Sequence, residues 1–161
     1  MNLASVAPQW LALVLTVLLL AAAVEDAVRL RISNVTVLLV MIGAIVAAVL
    51  AGPEVRLWQN LAVFAVLLAL GTPLFARGVL GGGDVKLLAA VGLWFDLAGA
   101  ARMILAVVLA GGALALLILL LRAFSWSNAA KARVHLLRPR GGIPYGIAIA
   151  AGALIAMALQ R

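Results

Sequence analysis

The sequence predicts an all-α protein, a polytopic membrane bundle of about six transmembrane helices. Of its 161 residues, 68% are hydrophobic and only 11% are charged, and the mean hydropathy is +1.29. Soluble domains contain about 45–50% apolar and about 25% charged residues, and disordered chains contain far fewer apolar residues. A water-soluble fold of this length cannot bury so much apolar surface. We therefore expect a single integral-membrane domain over residues 1–161.

Six apolar runs predict the spans, since a bilayer core of about 30 Å requires roughly 20 apolar residues per helix. The first run follows no Lys or Arg, so we expect a retained helix and not a signal peptide. The second run ends at Gly52-Pro53, which is typical of a helix stop. The fourth run is short, and we expect its helix to begin earlier, near Asp84, and to continue past Asp96. The predicted spans are about Trp10–Val24, Val35–Ala51, Leu57–Ala76, Lys86–Phe95, Ala101–Leu121 and Ile143–Leu159.

Lysine and arginine are distributed unequally between the two sides of these spans. The first, third and fifth connections hold nine of the twelve, whereas the second and fourth connections and the C-terminus hold three. Because positive charge accumulates on the cytoplasmic side, we expect the odd-numbered connections in the cytoplasm, provided that the fourth span crosses. The fifth connection, about Arg122–Gly142, mixes basic and apolar residues and is either an interfacial helix or a solvated loop.

Charge and composition exclude several function classes. The formal net charge is +7, which in a soluble protein would suggest nucleic-acid binding. In a membrane protein it reflects loops that face anionic lipid, so we expect the bilayer as a partner and no nucleic acid. The chain has no cysteine and one histidine, His135. Disulfides, thiolate nucleophiles and Cys-based metal sites are thereby excluded, and we expect no metal site.

The first polar patch lies at the cytoplasmic end of the first span and contains Glu25 and Asp26. Asp26 directly follows an apolar run, and a carboxylate at that depth is costly unless it is paired, hydrated or functional. Alternatively, both acids simply end the helix and pair with Arg29 and Arg31. Asn34 could likewise be a plain N-cap of the second helix.

The second patch is Gly81-Gly82-Gly83-Asp84-Val85-Lys86. Its three glycines permit unusual backbone angles and the close approach of another backbone, so a substrate peptide bond could reach Asp84 without obstruction. Alternatively, Asp84 is an ordinary N-cap. Phosphate binding by the glycines is disfavoured, because the P-loop pattern is missing and Asp84 would repel an anion.

The third patch, Gly141-Gly142-Ile143-Pro144-Tyr145-Gly146, is by itself a normal helix start with an interfacial aromatic residue. The charge pattern places the first and third connections on one face, so Asp26 and Asp84 can converge. Two close aspartates do not both ionise easily and share a proton. One then acts as general base toward water and the other as general acid, which is a route to peptide hydrolysis.

These three patches together resemble the type IV prepilin peptidases, a branch of the GxGD intramembrane aspartyl proteases. Gly81-Gly82-Gly83-Asp84 resembles the Gly-x-Gly-Asp signature. The Asp26-x5-Ile32-x-Asn34 stretch resembles the first-aspartate motif, commonly Asp-x5-Ile-Pro-Asn, with Ser33 in place of Pro. Ile143-Pro144-Tyr145-Gly146 resembles the late Pro-Tyr-Gly element.

The resemblance implies a catalytic pair at Asp26 and Asp84, and removal of the leader from prepilin-like proteins at the cytoplasmic face of the bacterial inner membrane. The large bifunctional members carry a four-cysteine portion and methylate the new N-terminus. This chain resembles the short branch that serves tight-adherence (Flp) pili, so we expect no methyltransferase activity and no cofactor. The resemblance implies substrate binding or support of the motifs for Gly81, Gly82, Gly83, Lys86, Asn34, Pro144, Tyr145 and Gly146.

Two other classes of protein fit parts of the sequence. In a small transporter or channel subunit, Asp26 and Asp84 would line a proton or cation path. In a non-catalytic assembly protein, Gly111-Gly112 and the alanine-rich sixth span would serve helix packing. Neither class accounts for the order of the three motifs. Lys86 either holds an acidic group of a substrate or faces lipid headgroups.

Overall fold

The computed structural model describes residues 2–52, 56–123 and 142–160, and these residues form seven helices and no strand. The prediction of an all-α bundle is confirmed. Four of the helices, α2, α3, α4 and α6, are long and apolar enough to cross a membrane. The helices are α1 (Leu3–Val6), α2 (Gln9–Arg29), α3 (Asn34–Ala51), α4 (Leu57–Ala76), α5 (Gly82–Gly92), α6 (Leu97–Ala123) and α7 (Tyr145–Ala158).

Most of the fifth connection, which was predicted over about Arg122–Gly142 as an interfacial helix or a solvated loop, lies outside the described residues. In the described residues, apolar side chains lie both in the interior of the bundle and on its outer surface, as expected for a membrane protein. Its centre holds the large, fully buried side chains of Leu15, Leu19, Leu87 and Trp94. Its outer surface is also apolar, and α6 in particular buries only a small part of its surface. Large apolar side chains facing outward are stable because lipid tails surround them.

The fourth predicted span begins as expected and ends earlier than expected. Its helix, α5, starts at Gly82 and stops at Gly92, so the prediction that it continues past Asp96 was wrong. Asp96 instead caps the start of α6, where its Oδ1 accepts a hydrogen bond of 2.8 Å from the backbone N–H of Gly99. Eleven residues of helix rise only about 16 Å, roughly half of the bilayer core.

A buried turn at residues 93–95 follows α5 and leads to Asp96. Backbone groups at membrane depth need partners inside the protein, and this turn has them. The side chain of Asn60 donates to the carbonyl of Leu93 at 2.9 Å, and the backbone N–H of Ala4 donates to the carbonyl of Trp94 at 3.0 Å. The Trp94 ring donates to the carbonyl of Val40 at 3.1 Å. Contacts with α1, α3 and α4 therefore stabilise a break in the helix.

Helix α7 packs antiparallel to α6 and also contacts α2. The close approach depends on Gly152, because a Cβ at this position would lie 2.5 Å from the backbone nitrogen of Val107. This packing brings the start of α7 to the end of α2 and to the start of α5. The first connection, the third connection and the end of the fifth therefore meet at one end of the bundle, as the charge pattern requires.

Candidate active site

Asp26 lies in the last turn of α2 and is buried, with 4% of its surface exposed. Its Oδ2 accepts a hydrogen bond of 2.7 Å from the backbone N–H of Gly146, in the first turn of α7. The unpaired N–H groups at a helix N-terminus favour a negative charge there. A Cβ at residue 146 would lie 2.9 Å from both Cβ and Oδ2 of Asp26. Glycine at this position therefore allows α7 to hold the carboxylate directly.

Asp84 is in the first turn of α5 and is also buried, with 8% of its surface exposed. Its Oδ2 accepts a hydrogen bond of 3.0 Å from the backbone N–H of Gly81. Gly81 occupies the N-cap position and Asp84 the third helical position, so the alternative that Asp84 is the N-cap itself was wrong. The carboxylate reaches back to the cap residue, as acidic side chains do at this position of a helix.

The glycines before Asp84 permit close packing without unusual backbone angles. Among the described glycines only Gly52 and Gly78 have positive φ, so residues 81–83 do not adopt the unusual angles that glycine permits. A Cβ on Gly83 would lie 3.1 Å from Cβ of Ile32 and 3.2 Å from its backbone nitrogen. The first connection therefore lies directly against the start of α5.

The two aspartates line one cavity of about 440 Å³ at this end of the bundle. Its wall combines the α2 cap Leu30, the residues 78–81 that precede α5, and Gly142, Ile143 and Tyr145 at the start of α7. A second cavity of about 190 Å³, lined also by Arg31 and Gly81–Gly83, contains both aspartates as well. The two carboxylates are close enough to interact electrostatically. The larger cavity has room for about a dozen water molecules.

Glu25 organises the first connection, which the sequence did not indicate. Its Oε2 accepts hydrogen bonds from the backbone N–H of Ser33 at 2.9 Å and from the hydroxyl of Thr36 at 3.1 Å. Ser33, and not Asn34, is the N-cap of α3, because its hydroxyl accepts from the backbone N–H of Thr36 at 3.1 Å. The described contacts of Glu25 and Asp26 are thus with the backbone and with hydroxyls, and the predicted pairing with arginine is not among them.

A signal for this role of Glu25 is nevertheless present in the sequence. Ser33 and Thr36 stand three residues apart at the start of an apolar run, which is the spacing of an N-cap and its partner. An acid eight residues earlier, at the end of the preceding helix, can reach that cap across a short connection. Capping chemistry therefore indicates that one of the two acids contacts the start of α3, and the structure shows that this acid is Glu25.

Lys86 and Asn34 form a contact of their own. The Lys86 Nζ donates to Oδ1 of Asn34 at 3.1 Å on the exposed side of the bundle, which ties α5 to α3. Neither residue lines the two cavities. Pro144 is buried immediately before α7, and Tyr145 lines the larger cavity. Pro144 and Tyr145 therefore precede directly the backbone N–H of Gly146 that holds Asp26.

Within the described ranges, no three His, Cys, Asp or Glu side chains converge as metal ligands would.

The model of the type IV leader peptidase family matches residues 13–124, which is about 70% of the chain. The matched range contains Asp26 and Asp84 and ends before α7, so the contact of Gly146 with Asp26 is known from the fold alone. No curated protein and no solved structure matches the chain.

Proposed function

The chain belongs to the type IV leader peptidase family, and from this premise we propose that it is an aspartic endopeptidase that removes the leader of prepilin-like proteins. Membership implies a peptidase, and the apolar helices make it a multi-pass membrane protein. Asp26 and Asp84 form the catalytic pair of the proposal. The substrates are of the Flp type, the reaction takes place at the cytoplasmic face of the bacterial inner membrane, and no methyl transfer follows.

One observation carries the proposal: two buried aspartates from distant parts of the chain line the same cavity. Burying a carboxylate is costly, and burying two beside each other is costlier because like charges repel. Two carboxylates this close do not both ionise easily and share a proton over part of the pH range, as in other aspartic peptidases. The arrangement supplies a general base and a general acid within reach of one peptide bond.

In the proposed reaction, the ionised aspartate takes a proton from water while the water oxygen attacks the carbonyl carbon of the scissile bond. The protonated aspartate gives its proton to the carbonyl oxygen. Collapse of the resulting diol breaks the carbon–nitrogen bond. The proton taken from water passes to the leaving amine, and one hydroxyl proton of the diol returns to the aspartate that had protonated the carbonyl oxygen. The products are a free leader carboxylate and a new N-terminus.

Backbone hydrogen bonds give the pair its orientation. Gly146 donates to Oδ2 of Asp26 and Gly81 donates to Oδ2 of Asp84. Each bond fixes one carboxylate oxygen, and the second oxygen of each acid is the one that handles water and substrate in the proposed reaction. Both donors belong to a helix N-terminus or its cap, where the backbone dipoles stabilise the ionised form.

The test is leader removal from a co-expressed Flp-type prepilin, followed by mass spectrometry. We expect wild type to release the leader, and Asp26→Asn and Asp84→Asn each to abolish release. Asparagine keeps an oxygen that accepts a hydrogen bond, so the contacts with Gly146 and Gly81 survive while the acid–base chemistry is lost.

The matched control is Asp96→Asn, which makes the same chemical change at the helix cap of α6 and should leave cleavage intact. Equal yields of each variant from detergent-solubilised membranes show that the fold is kept. Cleavage that persists in both Asp26→Asn and Asp84→Asn would refute the catalytic pair.

A further inference from the structure

An apolar groove enters the bundle from the side and ends at Asp84. It has a volume of about 410 Å³ and lies between α4 and α6, two helices that have few contacts with each other. Asp84 and Tyr145 line both this groove and the larger site cavity. The apolar walls come from Leu74 and Leu80 on one side, Ile104 and Val108 on the other, and Leu88 and Ile149 between them.

The length of the groove matches part of a membrane helix. Along α6 it extends from Ile104 to Ala115, and the rise between them is about 16 Å. That is roughly half of the bilayer core. The groove is thus about three helical turns long.

Gly112 keeps the groove open on the α6 side. It is exposed, it lines the groove, and a Cβ at this position would meet no atom within 4 Å. Its neighbour Gly111 is buried instead, where a Cβ would lie 3.5 Å from Cβ of Ala148. Both glycines line the groove, but a Cβ at residue 111 would meet α7, whereas a Cβ at residue 112 would meet no other atom.

We propose that this groove binds the apolar helix of the substrate, and that Gly112 determines which helices fit. The inference rests on the proposed function. An apolar helix in the groove has its end at Asp84, and the residues that precede it then enter the cavity that also contains Asp26. The leader stays on the polar side, and the peptide bond at its junction with the helix lies between the two carboxylates.

Because the groove is continuous with the cavity that contains the aspartates, a substrate helix fits the groove better than the two other possible occupants, a lipid chain and a second copy of the protein. A lipid acyl chain would fill the apolar walls but would bring no peptide bond to the carboxylates. A second copy of the chain would close the groove against substrate. Only a helix that continues into a polar segment uses both the groove and the cavity.

The test exploits the lack of cysteine in the chain. Gly112→Cys and, as matched control, the exposed neighbour Ala113→Cys are each combined with Asp84→Asn so that the substrate remains uncleaved. A Flp-type prepilin with single cysteines introduced in turn along its apolar helix is co-expressed, and membranes are oxidised. A disulfide requires Cα atoms within about 7 Å.

We expect the Gly112→Cys variant to form disulfides with substrate positions three or four residues apart, and the Ala113→Cys variant to form none above background. Equal cross-linking by the two variants, or no cross-link in Gly112→Cys, overturns the inference. A disulfide that joins two copies of the Gly112→Cys variant, in place of the substrate, assigns the groove to a second copy and overturns it as well.

The outcome for the groove is independent of the outcome for the proposed function. Cleavage of the unmodified prepilin by wild type, without a cross-link in Gly112→Cys, overturns the groove and leaves the peptidase intact. A cross-link in Gly112→Cys without cleavage by wild type keeps the groove and overturns the proposed activity.

A rate measurement gives a second, independent test. Gly112→Leu should lower the rate on the helix-bearing prepilin by about tenfold or more, because a side chain that fills an apolar pocket discriminates on this scale. The same variant should process a short peptide with leader and junction but no apolar helix as wild type does. Ala113→Leu should leave both rates unchanged, and an equal loss on both substrates in Gly112→Leu would contradict the groove.

Discussion

Replacing Gly146 by alanine tests whether the contact between α7 and Asp26 sets the geometry of the site. The new Cβ would lie 2.9 Å from Cβ and Oδ2 of Asp26 and 3.0 Å from Cδ1 of Ile32. Non-bonded carbon atoms normally stay about 3.5–4.0 Å apart, so the carboxylate must move by roughly 0.5–1 Å. Such a movement lengthens the hydrogen bond of 2.7 Å between Gly146 and Asp26 beyond a favourable range.

This movement should lower both the stability of the protein and its cleavage rate, and the loss in rate should be the more noticeable of the two. Crowding in a packed core costs about 1–3 kcal/mol, and the loss of a hydrogen bond to a charged group costs about 1.5–3 kcal/mol. The free energy of unfolding should therefore fall, although the bundle stays folded in its membrane. Misplacement of a catalytic group by about 1 Å costs about a hundredfold in rate, so Gly146→Ala should lower the rate of leader removal by about that factor.

The assay measures initial rates of leader removal in proteoliposomes well below the melting temperature of the variant, which is determined separately. Gly92→Ala is the matched control, since its Cβ would be crowded to a similar degree, 2.7 Å from Cδ1 of Leu67 and 2.9 Å from Cγ1 of Val63, at the end of α5 away from the aspartates. We expect this control to stay within about threefold of wild type. A folded Gly146→Ala protein that cleaves as fast as the control would refute the role of Gly146 in holding Asp26.

Substitutions at three further positions test which polar residues contribute to stability and which contribute to the cleavage rate. Asp96→Ala removes the cap of α6 and should lower the free energy of unfolding by about 1 kcal/mol, as measured by thermal unfolding, while the cleavage rate is kept. Glu25→Ala should lower both the rate and the melting temperature, because the backbone N–H of Ser33 and the hydroxyl of Thr36 lose the carboxylate that accepts from them. Glu25→Gln should restore both; failure of the glutamine variant would indicate that the charge itself is required. Lys86→Gln removes an exposed contact with Asn34 and should change the cleavage rate by no more than about threefold, and a large loss would place Lys86 in substrate binding.

Helix positions could be predicted from the sequence because, in a membrane, an apolar run of sufficient length has few alternatives to a helix. The second and third predicted spans coincide with α3 and α4 almost to the residue. The end of α5 could not be predicted, because the residues after it remain apolar up to Phe95. The helix stops there because Asn60 and Ala4 provide partners for the turn. Partners of that kind are visible only in the folded chain.

The same holds for the candidate site: its residues could be predicted from local motifs, but the contacts between distant parts of the chain could not. The residue types and their order indicated Asp26 and Asp84, and the charge pattern indicated that their connections share one face. The donor to Asp26 could not be predicted, since Gly146 lies 120 positions away and an isolated Pro-Tyr-Gly stretch is an ordinary helix start. The backbone angles of Gly81–Gly83 were also beyond sequence reasoning, because glycine permits extended, helical and left-handed conformations alike.

Because the chain contains few Asp and Glu residues, few candidates for the catalytic pair exist. The contacts of each carboxylate indicate its role. Asp96 caps a helix at the opposite end of the bundle, and Glu25 accepts from one backbone N–H and one hydroxyl in its own connection. Among the residues that the structure describes, Asp26 and Asp84 each accept from one backbone N–H, and both border the same cavity. A carboxylate that only stabilised the fold would gain from more hydrogen bonds and from distance to the other acid. Within the described ranges the pair has neither, and this arrangement supports the proposed catalytic pair.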